Sequence, residues 1–191
     1  MKITEIKKYP LSYEGRESLF IEVLTDDGLK GLGEVGVAKM GNAVIAAIEH
    51  LEQRLIGEDP WESEKLWQIM FRGNFFPPGV IYSSAISAID IALWDLKGKS
   101  VNLPLYKLLG GPVRNKVVCY PHTQGSTTQE LVDNSKRAVD EGWKFVRWGQ
   151  PETHGVLEEA ELSEQMPGKL EPIESVRLAT EQMALVREAV G

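Results

Sequence analysis

Residues 84–111 read SAISAIDIALWDLKGKSVNLPLYKLLGG. Ala85, Ala88 and Ala92 recur three and four apart, and Ile86, Ile89, Leu93 and Leu96 recur beside them at the same period. That spacing predicts a helix with a broad apolar face, whose small residues let another backbone come close while the bulky ones fill the flanks. Such a helix is buried on much of its circumference, with Trp94 as a large apolar anchor. Asp90 and Asp95 interrupt the face and need partners, because an unpaired buried carboxylate is costly. Gly98 is expected to end the helix in a left-handed conformation, with Lys97 and Lys99 suited to the negative end of its dipole. Pro104 resets the chain, Leu105, Leu108 and Leu109 give one more apolar turn, and Gly110-Gly111-Pro112 marks a boundary.

Upstream of this helix the pattern is strands first, then helices. Ile3 and Ile6 begin a short strand, 19–24 (LFIEVL) reads as a second, and 29–35 as a third after the turn Asp26-Asp27-Gly28. Asn42 is expected to cap a helix that runs to Leu55 and stops at Gly57, and Pro60-Trp61 opens another that stops near Gly73. This is an α+β order. Downstream the order changes to strand (116–120, KVVCY), helix (through Leu131, Ala138 and Val139, stopping at Gly142), strand (144–148, KFVRW) and helix. The last helix starts at Glu174 or Ser175 and runs through Val176, Ala179, Met183, Val186 and Val190. Alternation of that kind implies parallel pairing. The expected domains are therefore 1–112 and 113–191.

With 42% hydrophobic and 26% charged residues, the chain has ordinary globular composition and enough length for two modest domains. A net charge of -7 argues against nucleic acid and anionic membranes as partners, though not against a small acid. One cysteine, Cys119, rules out an internal disulfide, and the N-terminal stretch MKITEIKKYP carries no apolar leader. A cytoplasmic location is the expectation.

The run from Ala88 to Gly111 closely resembles the end of the capping domain in the enolase superfamily, in its mandelate racemase and muconate lactonising branch. The resemblance extends along the whole chain. It implies an α+β N-terminal capping domain followed by the first two βα units of a (β/α)8 barrel, incomplete in this chain because such a barrel needs eight parallel strands. A truncated chain or fragment is expected on that ground, with a homo-oligomer as the means of covering its open parts. In the family, loops after the first and third cap strands close over the active site. Carried over, the 9–18 loop (YPLSYEGRES) offers Tyr13 and Arg16, and the loop after the third strand offers Lys39 and Met40, as substrate neighbours. Arg16 suits a carboxylate through two parallel hydrogen bonds. Phe75 and Phe76 would wall the same pocket or pack between cap and barrel.

Barrel active sites sit at the C-terminal ends of strands, which places His122 (CYPHTQG) and Arg147 (FVRWGQ) as candidate catalytic residues. Many relatives carry Lys-x-Lys at the second of these positions, where this chain has Arg147 and Gly149. Arginine stays protonated, so Arg147 reads as an electrostatic clamp on carboxylate or enolate oxygens and not as a base. Should the register slip, Gln150 takes a polar contact role.

Gly31, Gly33 and Gly36 spell G-x-G-x-x-G, but no helix opens at the last glycine, so a nucleotide site is rejected in favour of close backbone approach and a bend. The acidic cluster Glu158, Glu159, Glu161 and Glu164 reads as a solvated face, and His50 and His154 receive no role. No metal ligand is assigned in this chain. The family's Mg2+-binding carboxylates stand on later strands, so Mg2+ is expected for the parent protein alone. The resemblance thus implies a parent that removes the proton next to the carboxylate of an acid sugar, with dehydration favoured because the Lys-x-Lys pair is missing. A racemase, epimerase or cycloisomerase is the alternative within the superfamily, and a non-catalytic cap or assembly fragment the alternative outside it. The 191 residues alone are expected not to turn over substrate.

Overall fold

A computed structural model describes residues 1–14, 16–37, 39–148 and 172–191. Gly149, Gln150, His154 and the 158–164 acidic cluster lie outside the described residues. The chain divides into two compact units, Met1–Val113 and Arg114–Gly191.

In the first unit, strands β1 (Ile3–Tyr13), β2 (Arg16–Thr25) and β3 (Lys30–Glu34) form an antiparallel sheet in the order β1-β2-β3. Central β2 buries Leu19, Ile21, Val23 and Thr25 in strict alternation, the period that turns one strand face to a core. β1 buries both Ile3 and Ile6, three apart, because a register irregularity between Ile3 and Glu5 inserts one residue. Three helices cover the inner face: α1 (Gly41–Leu55), α2 (Ser63–Arg72) and α3 (Val80–Ser100), with a short 3-10 turn at Pro60–Glu62. Val44, Ile48, Leu51 and Leu55 of α1 and Leu66 and Met70 of α2 are fully buried against Ile86, Ile89, Leu93 and Leu96 of α3. Each such side chain contributes about 2 kcal/mol of transfer free energy. A final turn, α4, spans Leu105–Leu108.

The small-residue face of α3 meets β3. A Cβ on Gly31 would lie 2.0 Å from the Ala92 carbonyl oxygen, and one on Gly33 would lie 2.1 Å from that of Ala88. These glycines therefore serve close backbone approach, as expected. Asp95 finds its partners at the same seam: Oδ2 accepts from the Leu32 N–H at 2.7 Å and from Lys99 Nζ at 2.6 Å, and Lys99 also donates to the Lys30 carbonyl.

Several expectations need correction here. Gly98 does not stop α3. It is buried inside the helix, and Asn102 (φ 52°) ends it instead, with Leu103 N–H donating to Gly98 O and Asn102 N–H to Lys99 O. That is a Schellman closure, for which asparagine substitutes for glycine in the left-handed position. α1 starts at Gly41, so Asn42 lies inside its first turn, and no side chain caps it. The 9–18 segment is no loop: β1 and β2 stay paired out to Tyr13↔Arg16, with Pro10 tolerated because β1 is an edge strand.

In the second unit, α5 (Thr128–Asp140) is capped by Thr127 Oγ1, which accepts from the Glu130 N–H, while Glu130 accepts from the Ser126 N–H. Gly142 (φ 95°) ends it as expected. α6 begins at Pro172, earlier than expected, and turns Gln182 and Val186 inward, leaving Val176 and Met183 exposed. The strands expected at 116–120 and 144–148 do not form. A single parallel bridge, His122↔Arg147, ties the residue two past the first stretch to the second, and Val117 is 82% exposed. Parallel strands are stable when flanked and covered on both faces, and these two have one partner each among the described residues. No helix among the described residues is long and apolar enough to cross a membrane.

Candidate functional site

Each unit carries some of the candidate residues. In the first, a cleft of about 700 Å³ opens between the β1–β2 arm and the start of α1. Leu11, Ser12 and Glu17 line one side, and Lys39, Met40 and Asn42 the other. Lys39 sits at φ 60°, a left-handed backbone that costs a non-glycine residue about 1 kcal/mol. The first N–H groups of α1 have no side-chain cap, and Lys39 lines the same cleft as the positive end of the helix dipole. Glu17 opposes them in charge.

Lys39 and Met40 both line this cleft. Tyr13 and Arg16 are not among the lining residues: the pairing that replaced the loop carries them to the end of the arm, where Tyr13 is exposed. Phe75 is 94% exposed on the segment after α2, edge-to-face against Phe76, and also lies off the cleft. The arm residues Leu11, Ser12 and Glu17 were missed, because a paired hairpin presents alternate side chains where a loop reading gives no direction.

In the second unit the bridge sets His122 beside Arg147. Thr123 N–H donates to the Arg147 carbonyl at 2.8 Å, and Arg147 N–H to the Pro121 carbonyl at 3.2 Å. Arg147 Nη1 lies 3.3 Å from His122 Nε2 and 3.5 Å from the Tyr120 hydroxyl. A guanidinium only donates, so His122 Nε2 is the acceptor and the ring proton of the neutral imidazole belongs on Nδ1. The three side chains are exposed. Such an arrangement presents a permanent cation and an imidazole to an anionic ligand. Among the described residues no three His, Cys, Asp or Glu side chains converge as a metal ion needs.

Two ionisable groups on α3 are displaced from their ordinary ranges. Burial pushes the Lys97 ammonium down, opposed by Asp90 and Asp59. It lies 4.5 Å from the centre of the Trp94 ring and donates to Ser63 Oγ. Burial pushes the Asp90 carboxyl up, against the pull of Lys97 and with the repulsion of Glu64. Lys97 joins α3 to the 3-10 turn and α2, and neither group borders the cleft.

Comparison with known proteins follows the same lines. Residues 12–110 match the N-terminal domain of the mandelate racemase / muconate lactonizing enzyme family. A D-galactonate dehydratase of Pectobacterium atrosepticum is 34% identical over the whole chain, which covers 46% of that protein. A D-galactonate dehydratase of Verminephrobacter eiseniae is 37% identical over 83% of the chain, covering 41% of that protein. Among solved structures, an enolase from Pantoea ananatis with bound D-gluconate and Mg superposes over the whole chain and 51% of its own length, with a TM-score of 0.82 and 27% identity. The chain spans about half the length of these relatives.

Proposed function

The chain belongs to the mandelate racemase / muconate lactonizing enzyme family of the enolase superfamily, and from that premise we propose that the activity of the whole protein is acid-sugar dehydration. In this reading the second unit is the opening of a (β/α)8 barrel, with His122 and Arg147 at the ends of its first two strands. The proton next to the substrate carboxylate is removed and the β-hydroxyl leaves as water. The resulting enol tautomerises to a 2-keto acid. Arg147, which cannot act as a base, holds the carboxylate with two parallel hydrogen bonds and stabilises the negative charge that develops there. Once the carboxylate takes the guanidinium, His122 Nε2 is released to accept a hydrogen bond from a substrate hydroxyl. In the first unit, Lys39, Met40, Tyr13, Arg16 and Phe75 are proposed as substrate neighbours.

The observation that supports this reading is the placement of Arg147 Nη1 3.3 Å from His122 Nε2 by one parallel bridge. The relatives named D-galactonate dehydratase and the gluconate-bound neighbour agree with it in substrate class. Mg2+ enters the proposal for the whole protein only. The described residues do not fit a metal site, and no step is assigned to the ion here. For the same reason the 191 residues by themselves are proposed not to turn over.

The test is a chimaera in which the remaining half of the Pectobacterium relative completes the chain, assayed with D-galactonate and D-gluconate. Formation of 2-keto product, abolished in Arg147→Ala, supports dehydration. An epimerised acid without keto product would transfer the assignment to an isomerase. A folded, inert chimaera would favour an assembly role.

A further inference from the structure

Tyr120 precedes His122 by two residues, the spacing that puts both side chains on one face of an extended stretch. The parallel bridge adds Arg147 to that face. The Tyr120 and His122 rings lie nearly parallel, 10° apart in plane with centroids separated by 6.0 Å, and the Arg147 guanidinium carbon lies 5.9 Å from the Tyr120 centroid. The Tyr120 hydroxyl accepts from Arg147 Nη1, the nitrogen that also donates to His122 Nε2.

We propose that Tyr120 is a positioning residue that aims Arg147 at the ligand and holds His122 in its Nδ1–H tautomer. It rests on the reading of Arg147 and His122 as the carboxylate-binding pair. The physical reason is the length of the arginine side chain. An exposed arginine samples many rotamers, and fixing it costs conformational entropy. A flat aromatic ring under the guanidinium limits those rotamers through cation–π attraction while leaving the outer N–H groups open. Both hydrogen bonds of Nη1, at 3.3 and 3.5 Å, are long, so a carboxylate, which makes shorter charge-assisted bonds, displaces them. Tyr120 thus preorganises the clamp without competing with the ligand, and the shared Nη1 couples arrival of an anion to release of His122 Nε2.

The test uses the 191-residue chain with 15N NMR of the His122 ring at pH 7.5, followed by titration with D-gluconate read at the Arg147 side chain. Wild type is expected to show protonated Nδ1 and unprotonated Nε2. Tyr120→Phe keeps the ring, so the tautomer stays and affinity changes by less than about twofold. Tyr120→Leu removes the platform: the tautomers mix and D-gluconate affinity falls about fivefold. Retention of the Nδ1–H tautomer in Tyr120→Leu, or loss of it in Tyr120→Phe, would overturn the proposal. Should Tyr120→Leu unfold α5, Tyr120→Met carries the same expectation and the same contradiction. If wild type fails to bind D-gluconate, the clamp reading falls, while the tautomer comparison still decides the role of Tyr120.

Discussion

The strand-like stretches of the second unit are at least as apolar in sequence as the strands of the first, yet only the strands of the first pair over their full length. In Met1–Val113, β2 has a neighbour on each side and a helical layer over its buried face. In Arg114–Gly191 a single bridge, His122↔Arg147, forms beyond the 116–120 stretch, while α5 and α6 still form and pack. The difference lies in where the partners come from. A hairpin supplies its own antiparallel neighbour within a few residues. A parallel strand depends on others separated from it by a helix. Helices close their hydrogen bonds locally and survive the lack of a complete sheet.

The contrast can be sharpened by substitution, beginning with the strongest effect. Gly31→Ala forces a Cβ against the Ala92 carbonyl, and Leu93→Ala opens a cavity in the buried core of the same unit. Each should lower the stability of the first unit by about 3 kcal/mol in urea unfolding. Asp95→Ala removes the acceptor of the Leu32 N–H on edge strand β3 and should cost about 1.5 kcal/mol. Lys39→Gly goes the other way. It relieves a left-handed backbone and should raise stability by about 1 kcal/mol, with a smaller gain if the added freedom of the unfolded chain offsets it. Val117→Ala, in the second unit, should change stability by no more than about 0.5 kcal/mol, because the side chain is already open to water.

The pH dependence of the first unit sets a finer test. Burial holds Lys97 below its ordinary 10.5. Between that lowered value and 10.5 the unfolded chain binds more protons, so stability rises with pH in this window. Burial holds Asp90 above 3.8. Between 3.8 and the raised value the folded chain binds more protons, so stability falls as pH rises there. Lys97→Met should abolish the alkaline rise and Asp90→Asn the acidic fall, measured by urea unfolding across pH. An unchanged slope in either variant would contradict burial as the cause.

The fold of the first unit was legible because period and composition agreed. The alanines of α3 and the glycines of β3 are two halves of one contact, and each pointed to close approach on its own. The closure at Asn102 was missed because Gly98 is the stronger glycine signal, although burial against Leu103 claims it for packing. The arm was misread because Pro10 weakens a strand reading, and only cross-strand pairing overrides it. His122 and Arg147 were proposed from the family resemblance, which fixes strand ends. Tyr120 was not, since a tyrosine in an apolar strand is ordinary core composition until its neighbours are placed. Tyr13 and Arg16 were carried over with a loop geometry that strand pairing replaces, and Phe75 lies on the segment after α2.

Amide hydrogen exchange of the whole chain tests the central contrast most directly. The account predicts strong protection at Ile21, Val23 and along α3 from Ala85 to Leu96. It predicts intermediate protection at the bonded amides of Thr123 and Arg147, and near-intrinsic exchange at Val117, Val118 and Cys119. Protection across 116–120 equal to that of β2 would contradict it.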